Sequence, residues 1–364
     1  MMNDYAGIYI HIPFCVKKCG YCDFYSLCDF SLVDDYIDAV IKEIERFYDE
    51  NRKINADTVF IGGGTPSAVD SRHIERIIEK LRNCFNISEN SEITIEMNPK
   101  TFNDEKLAIY KDCGINRVSM GLQSAHDDEL LMLGRIHNFS DFLSSYDMLI
   151  KHGFQNINVD IMYGLPLSST KRLENTITEI LKLKCSHISA YALTLSENVP
   201  LYNDVKLLPN EDDIYAQYRL ICEYLCNYEH YEISNFGKEK CRHNLKYWTQ
   251  TPYIGFGAAA HSHYSNTRWS NFSNIKRYIE TGKENVEDIS KNDEFLEYVM
   301  LNLRLNTGID TALIKQNYKI DLMKNHENFI SNMITQGYML KNNNILSLTE
   351  SGFFVSNQII SKLI

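Results

Sequence analysis

The stretch HIPFCVKKCGYCDFYS, residues 11–26, sets Cys15, Cys19 and Cys22 in a C-x3-C-x2-C pattern and then supplies no further cysteine at close spacing. It follows directly on GIYIHI (7–12), an alternating run rich in isoleucine that reads as a β-strand. Five more runs of that kind come later: DTVFIG (57–62), EITIEM (92–97), RVSMGL (117–122), NINVDIMYG (156–164) and HISAYAL (187–193). Between them, segments such as DDYIDAVIKEIERFY (34–48) and SRHIERIIEKLRNCF (71–85) space apolar residues by three and four, as amphipathic helices do. Alternation of strand and helix implies a parallel sheet with right-handed crossovers. Six consecutive units predict an α/β fold with a partial (β/α)6 TIM-type barrel, and an open doubly wound sheet is the competing arrangement. In both, functional residues belong in the loops after the strands. Cys15, Gly63, Glu96, Gln123 and Asp160 all lie at or just beyond predicted strand ends.

After about residue 235 the alternation stops. CRHNLKYWTQTPYIGFGAAAHSHY (241–264) is dense in aromatic residues, histidine and glycine, while NFSNIKRYIETGK (271–283) and KNDEFLEYVMLNLRL (291–305) read as helices. The tail predicts a helix, a glycine turn, a short hairpin with residues 342–344 (Asn-Asn-Asn) at its tip and a last helix, a mostly helical, winged-helix-like C-terminal domain. The expected division is 1–235 for the core barrel, 236–285 for a connecting segment and 286–364 for the C-terminal domain.

Composition narrows the classes. Of 364 residues, 44% are hydrophobic and 23% charged, as in ordinary soluble domains, which excludes a disordered chain. A net charge of −11 without a Lys/Arg-rich run argues against nucleic acid as a partner, so the winged-helix pattern carries no DNA-binding expectation. No apolar run reaches the roughly 18 residues a bilayer span needs, and the start MMNDYAGIYIHIPF lacks the basic flank and cleavage site of a secretory signal. The expectation is a cytoplasmic protein with no stable membrane insertion. Its ten cysteines then read as reduced thiols, with Cys28, Cys84, Cys113, Cys185, Cys222, Cys226 and Cys241 as small buried hydrophobes or inert thiols.

Thiolates brought together on one short loop suit an iron–sulfur cluster. Ordinary ferredoxins add a fourth cysteine, and structural zinc adds a second C-x2-C pair or histidines at helical spacing; neither accompanies this loop. C-x3-C-x2-C with Tyr21 before the third cysteine resembles the radical S-adenosyl-L-methionine (SAM) superfamily. The resemblance implies a 4Fe-4S cluster held by Cys15, Cys19 and Cys22, with the fourth iron open to the amino and carboxylate groups of SAM. It also assigns GGGTP (62–66), with Gly63, Gly64 and Thr65, to the methionyl amino group. Tyr9 in YIHIPFC, Glu96 in IEMNP, Gln123 in GLQS, Arg135 in LGRIH and Asp160 in VDIMYGLP match positions that line the SAM pocket. Carboxylates suit ribose hydroxyls and arginine suits the SAM carboxylate. No residue is assigned as catalytic.

HIPFC, GGGTP, GLQS, DIMYGLP and the C-terminal pattern together resemble the branch that contains oxygen-independent coproporphyrinogen III oxidases and the HemW-type haem chaperones. The oxidases carry a further cysteine two residues after the third; Phe24 stands there in this chain, and Cys28 is too far along to substitute directly. The oxidases also carry a longer N-terminal extension than the eight residues before Tyr9. HNLKYW (243–248) matches an H-N-x-x-Y-W motif of the chaperones that the resemblance connects with haem binding. A neutral His243 imidazole is a good axial ligand for haem iron, with His261 and His263 as alternatives; a packed, hydrogen-bonded core histidine is the competing reading. The expected function is a chaperone that binds haem as cargo and delivers it to an apo-haemoprotein acceptor. A flavodoxin- or ferredoxin-type electron donor is compatible with it. The rival is coproporphyrinogen III dehydrogenase, in which a radical abstracts hydrogen from propionate side chains.

Overall fold

The structure, a computed structural model, describes residues 5–51, 54–281 and 283–364. Residues 1–4 of the quoted chain start, and Gly282 in the NFSNIKRYIETGK run, lie outside the described residues.

The six expected strands are all present: β1 (Tyr5–Ile12), β2 (Asn55–Gly63), β3 (Asn86–Met97), β4 (Arg117–Gln123), β5 (Asn156–Tyr163) and β6 (His187–Ala192). They pair in parallel in chain order, with α1 (Val33–Asn51), α2 (Ser71–Cys84), α3 (Asp104–Asp112), α4 (Asp127–Met132), α5 (Phe139–Lys151) and α6 (Thr170–Lys182) in the crossovers. A doubly wound sheet reverses its strand order at a switch point; this one does not, which decides for the barrel. The barrel is partial, because β1 and β6 do not pair.

Each of those two strands takes another neighbour instead. After α7 (Glu211–Tyr224), β7 (Glu229–Glu232) and β8 (Asn235–Gly237) form a hairpin whose second strand lies antiparallel to β6. After α8 (Arg242–Trp248), β9 (Tyr253–Phe256) lies parallel to β1, followed by antiparallel β10 (His261–Tyr264), β11 (Thr267–Asn271) and, past α9 (Ile275–Thr281), β12 (Lys283–Asp288).

The helices present one apolar face each to the sheet. In α2 Ile74, Ile77, Ile78 and Leu81 repeat at helical spacing, and the Asp70 carboxylate caps the first turn by accepting the Arg72 N–H at 3.0 Å. The outward residues of the strands meet those faces: Ile8, Ile10 and Ile12 of β1, Val118, Met120 and Leu122 of β4, and Ile157, Val159 and Ile161 of β5 are buried in one core. Burying each such side chain stabilises the fold by about 1.5–3 kcal/mol.

One buried carboxylate joins the added strands to the barrel. Glu43 of α1 accepts hydrogen bonds from the Gly257 N–H (3.0 Å), the Asn271 amide (2.8 Å) and the Tyr278 hydroxyl (2.6 Å). Burial raises its pKa, and the three donors oppose that shift.

The chain closes with α10 (Lys291–Asn302), β13 (Ile309–Asp310), α11 (Thr311–Tyr318), α12 (Leu322–Asn325), α13 (Glu327–Thr335), β14 (Met339–Asn342), β15 (Ile345–Leu348), α14 (Glu350–Phe354) and α15 (Ser356–Ile360). The three strands make a small antiparallel sheet, so this part is helical with a wing, as expected. Arg304 anchors it to the barrel through an ion pair with the buried Glu232 at 2.8 Å. Of the seven cysteines outside the loop, Cys84, Cys113, Cys185, Cys222 and Cys241 are buried, and Cys28 and Cys226 are exposed. Among the described residues no helix is long and apolar enough to cross a membrane.

Replacing Tyr278 with Phe removes one of the three donors to Glu43. The variant is expected to lose roughly 1.5–3 kcal/mol of stability in chemical denaturation; an unchanged unfolding midpoint would show that the hydroxyl contributes nothing.

Candidate radical SAM site

Strand periodicity places the site. While the outward residues of the strands enter the core, the alternate ones point inward: Tyr9 and Phe60, then Glu96, Ser119 and Gln123, then Asn158, Asp160 and Ser189. They enclose a cavity of about 790 Å³ that runs from the cysteine loop at the carboxyl ends of the strands to Arg117 and α8 near their amino ends.

Main-chain hydrogen bonds from several segments clamp the cysteine loop. The Cys15 N–H donates to the Leu27 carbonyl at 2.8 Å and the Gly20 N–H to the Leu133 carbonyl at 3.0 Å, while the Leu201 N–H donates to the Gly20 carbonyl at 2.8 Å. The glycine loop after β2 lies alongside: the Gly64 N–H donates to the Ile12 carbonyl (2.9 Å) and the Thr65 N–H to the Phe14 carbonyl (2.8 Å). A Cβ on Gly64 would stand 2.9 Å from the Phe14 nitrogen and 3.0 Å from the Cys15 Sγ. Only glycine allows this approach.

Side chains then link sulfur to sulfur. The Thr65 hydroxyl donates to Cys15 Sγ and the Arg135 Nη1 to Cys19 Sγ, both at 3.6 Å. Asn98 connects the two donors, accepting from the Arg135 Nη2 and donating to Thr65 Oγ1 at 2.8 Å. Arg135 Nη2 also donates to the Gly121 carbonyl at 2.8 Å, and its Nε is buried without a partner. Tyr21 packs into a small apolar cluster with Leu133, Met162 and Leu201 beside the loop. Gln123, at the end of β4, has φ +77°, a left-handed conformation rare for such a side chain and common at binding sites.

Two carboxyl groups face each other's field on the inner wall. Burial, and then the Asp160 charge, push Glu96 up to about 8, against the Gly63 N–H that donates to it at 3.0 Å. Burial also raises Asp160, opposed by donors on Asn158 (2.7 Å) and Ser119 (3.1 Å). The Arg117 guanidinium at the floor works against both shifts.

Cys15, Cys19, Cys22, Tyr9, Tyr21, Gly63, Gly64, Thr65, Glu96, Gln123, Arg135 and Asp160 therefore meet in one cavity, as expected of a common pocket. His243 does not. It is fully buried beneath the wall, with Nδ1 2.9 Å from the Thr58 hydroxyl and Nε2 2.8 Å from the Tyr247 hydroxyl, and its ring stacks on Phe60. Both nitrogens are engaged, so the ring offers no free lone pair to a haem iron; burial pushes its pKa down to about 3. The packed-histidine reading describes it. His261 and His263, on β10, do not line the cavity either. Asn244 and Tyr247 of the HNLKYW motif do line it, together with Asn98, Arg117, Ser119, Asn158 and Ser189, which the motifs did not single out. Alternation counted back from Gln123 and Asp160 would have found Arg117, Ser119 and Asn158.

The sequence profile of the Radical SAM superfamily matches residues 9–180, and that of the HemN C-terminal domain matches residues 289–355. Fold, cysteine loop and profile define a radical SAM protein. The heme chaperone HemW of Lactococcus lactis is 30% identical over 100% of this chain and 98% of its own length. That of Haemophilus influenzae is 32% identical over 97% and 96%, respectively. The chain belongs to the HemW-type radical SAM family. Among solved structures, coproporphyrinogen III oxidase (HemN) from Escherichia coli shares the fold with a TM-score of 0.87, covering 99% of this chain and 90% of that one at 19% identity.

Because the Glu96 pKa is raised from 4.5 to about 8, its contribution to stability is complete below 4.5 and lost as pH rises through about 8. Urea melts of cluster-free protein should fall across that window, and Glu96→Gln should flatten the fall; parallel curves would remove Glu96 as its source. His243→Ala leaves the buried Thr58 hydroxyl and the half-buried Tyr247 hydroxyl unpartnered, and a loss of about 1–3 kcal/mol is expected in the same melts.

Proposed function

We propose that this protein is a haem chaperone that binds haem and passes it to an apo-haemoprotein acceptor, with a 4Fe-4S cluster on Cys15, Cys19 and Cys22 and SAM at the iron they leave open. The observation that carries the reading is the end-to-end similarity to proteins named heme chaperone HemW. Phe24 supports it: the residue lies on the cavity wall, 69% exposed, at the position where the oxidases place a further cysteine.

The residues present fit the cofactors. Three thiols face one cavity, the Gly64 approach leaves no room for a side chain beside Cys15, and a buried Arg135 nitrogen lacks a partner. A bound cluster of this kind supplies single electrons to the SAM sulfonium. The chain's own part is positioning. Thr65 and Arg135 donate to cysteine sulfurs, which fixes the direction in which Cys15 and Cys19 present them. Glu96 and Asp160 suit ribose hydroxyls and Arg135 a carboxylate, as they do in the family. Tyr9 is held in place because the His11 Nε2–H donates to the Tyr25 carbonyl (3.2 Å), leaving Nδ1 to accept from the Tyr9 hydroxyl at 3.0 Å. His243 acts as a strut for Tyr247 rather than as the iron ligand.

In this reading residues 1–235 carry cluster and SAM, 236–285 the HNLKYW motif and 286–364 the C-terminal domain. Cytoplasmic residence and a flavodoxin- or ferredoxin-type donor belong to the same proposal.

Protein reconstituted without oxygen is expected to hold about four iron per chain, to change its spectrum with SAM, to give a saturable Soret shift with haem, and to pass haem to an apo-haemoprotein. Coproporphyrinogen III incubated with it and SAM should yield no protoporphyrinogen. Sustained turnover would decide for the dehydrogenase, and zinc in place of iron on the three cysteines would overturn the cluster assignment.

A further inference from the structure

Barrel and C-terminal module meet where α7, β7 and α14 converge, away from the cavity. Three side chains of ligand type face one another there. The Cys222 thiol, a ring nitrogen of His230 and a carboxylate oxygen of Glu350 all lie within 4.8 Å of one another.

The surroundings orient each group. His230 Nε2–H donates to the Ile233 carbonyl at 3.2 Å, which fixes the tautomer and leaves the lone pair on Nδ1. Nδ1 is buried with no hydrogen-bond partner. The ring is held by stacking on Phe236, with centroids 4.0 Å apart, and by the edge of Phe353 at 5.1 Å. A carbonyl on one nitrogen and a bare lone pair on the other is the arrangement of a metal-binding histidine. The Tyr218 hydroxyl donates to the Glu350 carbonyl at 2.8 Å, which pins the start of α14 against α7. Cys222 is buried and Glu350 exposed, so the site is closed on the protein side and open to water on the other.

We propose that Cys222, His230 and Glu350 bind a zinc ion that ties the C-terminal module to the barrel, with water as the fourth ligand. Sulfur, nitrogen and oxygen donors together select zinc over magnesium or calcium, which take oxygen ligands alone. Uptake exchanges the Cys222 thiol proton for the cation and releases it to solvent.

The test uses the full chain with Cys15, Cys19 and Cys22 changed to Ser, which removes the other thiol site. After incubation with zinc and passage over a chelating resin, elemental analysis is expected to find about one zinc per chain. Adding Cys222→Ser or Glu350→Gln should weaken zinc binding at least about tenfold and abolish a zinc-dependent rise in Tm. Should Cys222→Ser unfold, Glu350→Gln gives the same reading, because its side chain is exposed. A chain that takes up no zinc, or one that holds it equally with and without Glu350→Gln, would overturn the proposal.

Discussion

A parallel strand inside a barrel has two faces to satisfy, and here the inner one is largely polar from β4 to β6. Were the inner face apolar as well, side chains would fill the barrel in layers. Instead Ser119, Asn158, Asp160 and Ser189 stand inward, and each must find partners once buried. They find them in one another: the Asn158 amide donates to Ser119 (2.8 Å) and Asp160 (2.7 Å), and Ser189 donates to Asn235 at 2.9 Å. A satisfied polar lining resists collapse, so the cavity persists and everything placed on its rim inherits a fixed frame.

The rim applies the same economy. Cys15 and Cys19 receive hydrogen bonds from residues on different loops, and Asn98 makes those loops one unit. The cysteines are therefore positioned by strands β2, β3 and β4 as much as by their own loop. Within the cavity, two carboxyl groups disfavour each other's charge while Arg117 and Arg135 supply cations at opposite ends. A cationic ligand between Glu96 and Asp160 relieves that repulsion, which suits a sulfonium compound.

Local signals carried the barrel and most of the site. Long alternating runs such as RVSMGL and helices with regular apolar spacing favour one kind of element, so β1 to β6 were legible to within two residues at each end, except that β3 begins six residues before EITIEM. β7 to β12 were not, because most are three to five residues long, too short for periodicity to register, and their ladders join the barrel only where β8 pairs with β6 and β9 with β1. The motif residues converged as spacing after strands implies. His243 differs for a related reason: its motif names the residue types but not what they touch, and Thr58, 185 residues away, claims one of its nitrogens. Asn98 lay inside a quoted motif, yet its role rests on Arg135, which only the fold brings near.

The unpaired seam between β1 and β6 has a mechanical meaning. Each of those strands has other neighbours on both sides along part of its length, β1 between β2 and β9 and β6 between β5 and β8. Drawing β1 and β6 apart breaks no main-chain ladder between them. The two sides of the seam can thus shift relative to each other at the expense of side-chain contacts alone, a compliance that a sealed eight-stranded cylinder lacks.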